Sequence, residues 1–214
     1  MNAFGDGAFG GGAFGGGIGE AHTVSVDIYT AAYRVSGEVE TRFHRVTEIL
    51  NQLTGAHLEV RRATLSEHAN PKATVAAPTA LVSVDEVLLM IAEGLRGASD
   101  EMRIPKRPVL AQLALPPLRV TGKVHVPMGS RPVDGVVHGT DRFVAMTDAT
   151  IVSGAYPELV RSADVIALRR DRAHVLLIAD DEDPERLLED VLDERTAAAW
   201  LRGADAEVES EAEA

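Results

Sequence analysis

The strongest constraint on this chain is a repeat. Val24-Ser25-Val26-Asp27-Ile28-Tyr29, running on to Arg34-Val35-Ser36-Gly37-Glu38-Val39, aligns without gaps on Val109-Leu110-Ala111-Gln112-Leu113-Ala114 through Arg119-Val120-Thr121-Gly122-Lys123-Val124. Arg-Val-Ser/Thr-Gly-x-Val occurs in both stretches. After one inserted residue, Arg45-x-x-Glu48 matches Arg131-x-x-Asp134, and the match continues to Ala63-Thr64-Leu65 against Ala149-Thr150-Ile151. A colinear series at nearly one offset predicts an internal duplication, with β modules over 21–93 and 109–181.

Each module reads as about five short strands. Val35, Gly37 and Val39 alternate with polar residues, the period of a half-buried strand, and Leu58-x-Val60 and Val144-x-Met146 continue it. The repeated glycine predicts a bulge or a sharp bend where a strand curls. Short bent strands in so small a unit suggest a closed or partly open barrel, because closure removes exposed edges. Each copy ends in two apolar runs that read as a hairpin, Ala80–Val84 with Val87–Ile91 and Val165–Leu168 with His174–Ile178. Residues 45–53 and 131–137 read as a helical turn or a loop. Residues 68–79 and 153–163, with their prolines and glycines, read as loops. The expected fold is mainly β: two tandem five-stranded barrel-like modules plus a C-terminal helix.

The flanks differ from the body. Residues 1–20 repeat Phe in Gly, a composition expected to be disordered or to act as a sticky tether. Residues 94–108 read as a linker. Asp183-Pro184 suits the start of a helix over 182–203, because Asp caps and Pro fits the first turn. Leu187, Leu188, Val191 and Leu192 form its apolar stripe, and the only tryptophan, Trp200, lies near its end. Residues 204–214 are acidic and expected to be disordered. Of the 33 acidic and 21 basic residues, 14 and 3 fall in 180–214, which leaves 19 and 18 elsewhere. The net charge of −12 therefore belongs to the tail. A nearly neutral body argues against DNA binding by the chain as a whole.

The segment Arg131-Pro-Val-Asp134, with Arg142 to Ile151 and Ala163 to Leu168, resembles small bacterial domains of no assigned function. The first copy is a more divergent version, with Arg62 where the second has Asp148. The resemblance implies a small β domain of Sm-like or SH3-like shape and transfers no catalytic residue.

No catalytic motif is legible: no phosphate loop, no Gly-x-Ser-x-Gly elbow and no His-Glu-x-x-His. The chain has no cysteine, which excludes disulfides, thiolate metal sites and cysteine nucleophiles and fits a reducing cytoplasm. With no apolar run long enough for a membrane helix and no secretory n- or h-region, a cytoplasmic location is expected. The seven histidines are scattered without strong metal-ligand spacing.

Two polar features remain. Arg45/Glu48 and Arg131/Asp134 read either as turn-bracing ion pairs or as guanidinium groups at two equivalent binding grooves. Arg169, Arg170 and Arg172, with Arg161 nearby, read either as a solvated turn or as a phosphate-contacting loop. The lack of a catalytic constellation and the terminal segments suited to partners predict a non-catalytic interaction or assembly protein without cofactor or metal. Its expected partners are proteins, including further copies of itself, and candidate contacts lie at the arginine pairs, the basic turn and Leu188, Leu192 and Trp200. The alternative is a small-barrel protein that binds nucleic acid or a nucleotide.

Overall fold

A computed structural model describes residues 20–95, 106–131 and 139–179. The predicted C-terminal helix over 182–203, the acidic tail, nearly all of the Phe/Gly leader and most of the linker lie outside the described residues. So do Asp134, Leu188, Leu192 and Trp200.

The described chain is one antiparallel sheet of ten strands. The first half contributes β1 (His22–Tyr29), β2 (Tyr33–Thr41), helix α1 (Val46–Asn51), β3 (His57–Glu67), β4 (Asn70–Ser83) and β5 (Leu89–Glu93). The second contributes β6 (Lys106–Leu115), β7 (Leu118–Pro127), β8 (Phe143–Ser153), β9 (Val160–Arg169) and β10 (Val175–Ile178). A 3-10 turn precedes the last strand of each half, at Val84–Glu86 and Arg170–Arg172. The strand order is β10-β6-β7-β8-β9-β5-β1-β2-β3-β4.

The mainly β expectation holds, but the sheet is open and the two predicted barrels do not form. A half would close if its fifth strand paired with its own fourth. Instead β5 pairs with β1 on one side and with β9 of the other half on the other. Of the four edges that closure was expected to remove, joining the halves covers two, those of β5 and β9, and leaves those of β4 and β10. For the same reason the paired apolar runs are not hairpins: β4 pairs with β3, and β10 with β6. The stretch read as a loop over 68–79 is mostly the outer part of β4, and Lys106 to Pro108 of the expected linker already belong to β6.

A bulge is present at the repeated glycine, but the extra residue lies on the partner strand. Between Ser36 and Glu38 of β2 the register to β3 shifts, and between Thr121 and Lys123 of β7 the register to β8 shifts in the same way. The bulging residues are Arg62 and Asp148, at φ 49° and 52°, a left-handed conformation rare outside glycine. The glycines opposite make room for them. A Cβ on Gly37 would stand 2.6 Å from the Arg61 carbonyl oxygen, and one on Gly122 would stand 2.8 Å from that of Thr147. Across each bulge sits an ion pair of reversed sign, Glu38 with Arg62 and Lys123 with Asp148.

Two cores result. Val24, Val26 and Ile28 of β1 alternate inward, and α1 adds Val46, Ile49 and Leu50 at helical spacing, so the ambiguous segment 45–53 folds as a short helix. In the second half Val109, Ala111 and Leu113 play the part of the β1 residues. Each core takes side chains from the other half. Leu89 and Ile91 of β5 enter the second core, while Met90, pointing the opposite way, enters the first together with Phe143 and Ala167.

Candidate functional site

The densest polar chemistry lies where the halves meet. Strands β5 and β9 share only three residue pairs, Leu89 with Leu168, Met90 with Ala167 and Ile91 with Ile166. The Arg169 N–H extends this ladder by donating to the Leu88 carbonyl oxygen at 2.8 Å.

The Arg169 side chain is only 5% exposed. Its Nη1 donates to the Val84 carbonyl oxygen at 2.8 Å, across to the first half. Its Nε and Nη2 donate to the two oxygens of Asp171 at 2.8 and 3.1 Å, a fork-on-fork pair. Its flat face lies over the Phe143 ring. Asp85, on the turn of the first half, stands 3.5 Å away and also pairs with Arg142. Arg172 Nη2 donates to the Asp85 carbonyl oxygen at 3.0 Å. An acidic turn of one half is thus set against a basic turn of the other. The hydrogen bond from Arg169 holds the Asp171 carboxyl below its ordinary range against the opposing effect of burial. The hydrogen bond and charge of Arg142 do the same to Asp85.

Three further contacts reinforce the joint. Asn51, the last residue of α1, donates from Nδ2 to the Phe143 carbonyl oxygen at 2.8 Å and accepts the Phe143 N–H at 2.9 Å. One side-chain amide therefore continues a strand's hydrogen-bonding pattern onto the start of β8. Asp27 receives the fork of Arg34 and the hydroxyl of Ser36 at 2.6 Å, and Arg161 of β9 reaches both Asp27, at 3.8 Å, and Glu93, at 3.6 Å. A shallow depression of about 340 Å³ opens beside them. His68 lies between Tyr29 and Tyr156 of the second half, with ring centroids 6.1 and 5.5 Å away, and its Nε2 is 3.0 Å from the Thr30 carbonyl oxygen. Burial raises the Tyr29 hydroxyl above its usual range.

Chemically this is an adhesive arrangement. Asp27, Asp85 and Asp171 each face a guanidinium, and at Asp85 and Asp171 this favours the carboxylate and makes it a weak proton acceptor. Among the described residues no group of three His, Cys, Asp or Glu side chains could hold a metal ion. No helix among them is long and apolar enough to cross a membrane.

The residues singled out in the sequence fall in different places. Arg45 and Glu48 form an i,i+3 pair at 3.5 Å at the start of α1, and neither lines the cleft of about 650 Å³ that opens beside Ile49 and Gln52 of the helix end. The floor of that cleft is apolar, with Val39, Phe43, Ile49 and Leu58. Arg131 is an exposed residue just after β7, and its expected partner Asp134 is not described. Of the basic turn, Arg169 is buried in the joint and Arg172 is bonded across it, while Arg170 runs alongside Gly139. Sequence reasoning missed Asn51, Asp85, Arg142 and Asp171. Only the turn pair Asp85 and Asp171, at matching places in the repeat, carried a signal.

No family model matches the chain, and neither a curated protein nor a solved structure is significantly similar to it.

Proposed function

We propose that this protein is a non-catalytic assembly or adaptor protein that binds other protein chains. The observation that carries this reading is the way the sheet ends. Strands β4 and β10 each pair on one side only, and they present exposed Val75, Leu81, Val175 and Leu177 there. An unpaired edge with apolar side chains is a template for a further strand. The phosphate-contacting alternative has less support, because Arg169 is committed to Asp171 and Val84.

The same reading includes an origin by duplication and an Sm-like or SH3-like shape for each half. Support comes from the matching strand orders, the bulges opposite Gly37 and Gly122, and the 3-10 turn before each fifth strand.

The test is affinity capture on the immobilised full chain, compared with a variant carrying Leu81→Lys and Leu177→Lys. Bound protein lost in the variant supports the reading. A chain that retains no protein, further copies of itself included, removes it. Salt-sensitive retention of an oligonucleotide that falls on Arg170→Ala/Arg172→Ala would favour the alternative.

A further inference from the structure

We infer that the free edge of β10 pairs with the free edge of β4 of a second copy of this chain, reproducing between molecules the joint that β5 and β9 make within one. The inference rests on the assembly reading above and names its partner.

The correspondence of the halves fixes the register. Tyr29 pairs with Leu89 and Asp27 with Ile91, just as Ala114 pairs with Val175 and Gln112 with Leu177. Leu89, Met90 and Ile91 thus correspond to Val175, Leu176 and Leu177. Likewise β3 pairs Val60 with Ala80 and β8 pairs Met146 with Ile166, so Ile166, Ala167 and Leu168 correspond to Ala80, Leu81 and Val82. Carried over, the internal ladder predicts Val175 opposite Val82, Leu176 opposite Leu81 and Leu177 opposite Ala80.

Exposure marks these positions as a joint not yet made. Leu89 and Ile91 are buried at 0% and 4%, whereas Val175 and Leu177 are exposed at 50% and 43%. Ala167 is fully buried and its counterpart Leu81 is 68% exposed. Ile151, under the internal joint, is buried, and its counterpart Leu65 is exposed.

Charge gives an independent argument. At the internal joint Arg161 faces Asp27 and Glu93. The matching external positions are Val75 facing Gln112 and Ala179, so both sides of each ion pair are replaced together by uncharged residues. Where Arg142 and Arg169 reach Asp85, the external counterparts are Ala56 and Ser83 facing Asp171, whose charge is already met by Arg169 of its own half. The external joint is therefore apolar without stranding a charge.

Such a joint is heterologous. Each added molecule presents a fresh β4 or β10 edge until the assembly closes on itself.

The test is light scattering behind size-exclusion chromatography on the full chain over a concentration series. Two blocked variants are run beside it, Val75→Lys/Leu81→Lys at the β4 edge and Val175→Lys/Leu177→Lys at the β10 edge. All four side chains are exposed, and circular dichroism checks that each variant remains folded. The full chain is expected to gain mass with concentration and each variant to stay monomeric. An equimolar mixture of the two is expected to give a one-to-one complex and nothing larger, because one edge of each kind survives. Because the chain lacks cysteine, Ala80→Cys mixed with Leu177→Cys should also yield a disulfide-linked pair, and Ala77→Cys with Leu177→Cys should not. A full chain that is monomeric throughout overturns the inference, whether its edges are covered by its own terminal residues or by a foreign protein. So does a mixture that stays monomeric, or a blocked variant that assembles like the full chain. A monomeric chain that still captures another protein leaves the assembly reading standing, whereas one that captures nothing defeats both.

Discussion

At Gly122 a side chain is excluded by backbone. A methyl group there would meet the Thr147 carbonyl oxygen and the Met146 side chain inside van der Waals contact. Gly122→Ala should destabilise the protein by about 1–3 kcal/mol, the usual range for overpacking. That lowers the melting temperature by roughly 2–4 °C per kcal/mol in a chain of this size. Opposite it, Asp148 holds a left-handed backbone that costs a non-glycine residue about 1–2 kcal/mol. Asp148→Gly should therefore leave the melting temperature unchanged or slightly higher, and Asp148→Val, β-branched at positive φ, should lower it. Asn51 is the other residue with a sharp expectation. Asn51→Ala removes both hydrogen bonds to Phe143 and leaves a partly buried backbone N–H and C=O unmet, at a cost of about 1–3 kcal/mol each if no water replaces them. Chemical denaturation of the variant measures it. The glycines were legible from the repeat. Their bulging partners Arg62 and Asp148 were visible only as an odd substitution between copies, because nothing in an arginine or an aspartate announces a positive φ.

Among the elements, the two 3-10 turns decide how the halves are held. The Asp171 and Asp85 carboxyls lie below their unfolded values of 3.8, the first mainly through Arg169 and the second mainly through Arg142. The unfolded chain takes up those protons first as the solution is acidified. The stability they contribute is therefore complete above about pH 5 and falls as pH drops through their depressed folded values. His125, lowered mainly by burial from 6.5, acts in the same sense at higher pH, so acidification below about 6.5 already favours the unfolded chain. A melting series from pH 8 to pH 3 should decline in two stages, with the lower one much reduced in Asp171→Asn. Arg169→Ala should destabilise by about 2–4 kcal/mol, since it strips one nearly buried guanidinium from Asp171 and from the Val84 carbonyl. Strands with alternating apolar residues, such as β1, were legible in the sequence. The outer half of β4 was not: Asn70 to Thr79 is almost wholly exposed, so its residues have the small, polar and proline-containing character of a loop. The basic turn was misleading for the opposite reason. Charge pattern alone does not say that an arginine at a turn will be buried, or that the carboxylate two residues on will take up its guanidinium.

In the whole molecule, the shared cores bind the two halves into one unit. Met90 in the first core and Leu89 in the second sit on one strand, so neither core survives removal of the other half intact. Calorimetry should show one cooperative transition, with equal calorimetric and van't Hoff enthalpies. Residues 20–95 expressed alone should lose that cooperativity, because Phe143 and Ala167 are missing from their core. Period-two patterning could show that there are ten strands and which face of each is apolar. It could not show openness, because whether a fifth strand meets its own fourth strand or a neighbour's depends on partner geometry, not on the strand's own residues.

The central strands also set where the molecule breathes least. The six paired residues of β5 and β9 are at most 4% exposed, and each strand is hydrogen-bonded along both edges and has apolar neighbours on both faces. Their amides should be the last in the chain to exchange with deuterium, opening only with global unfolding, while in the monomer the edge amides of β4 and β10 exchange early. Where two linked units usually come apart first, this chain keeps its slowest clock.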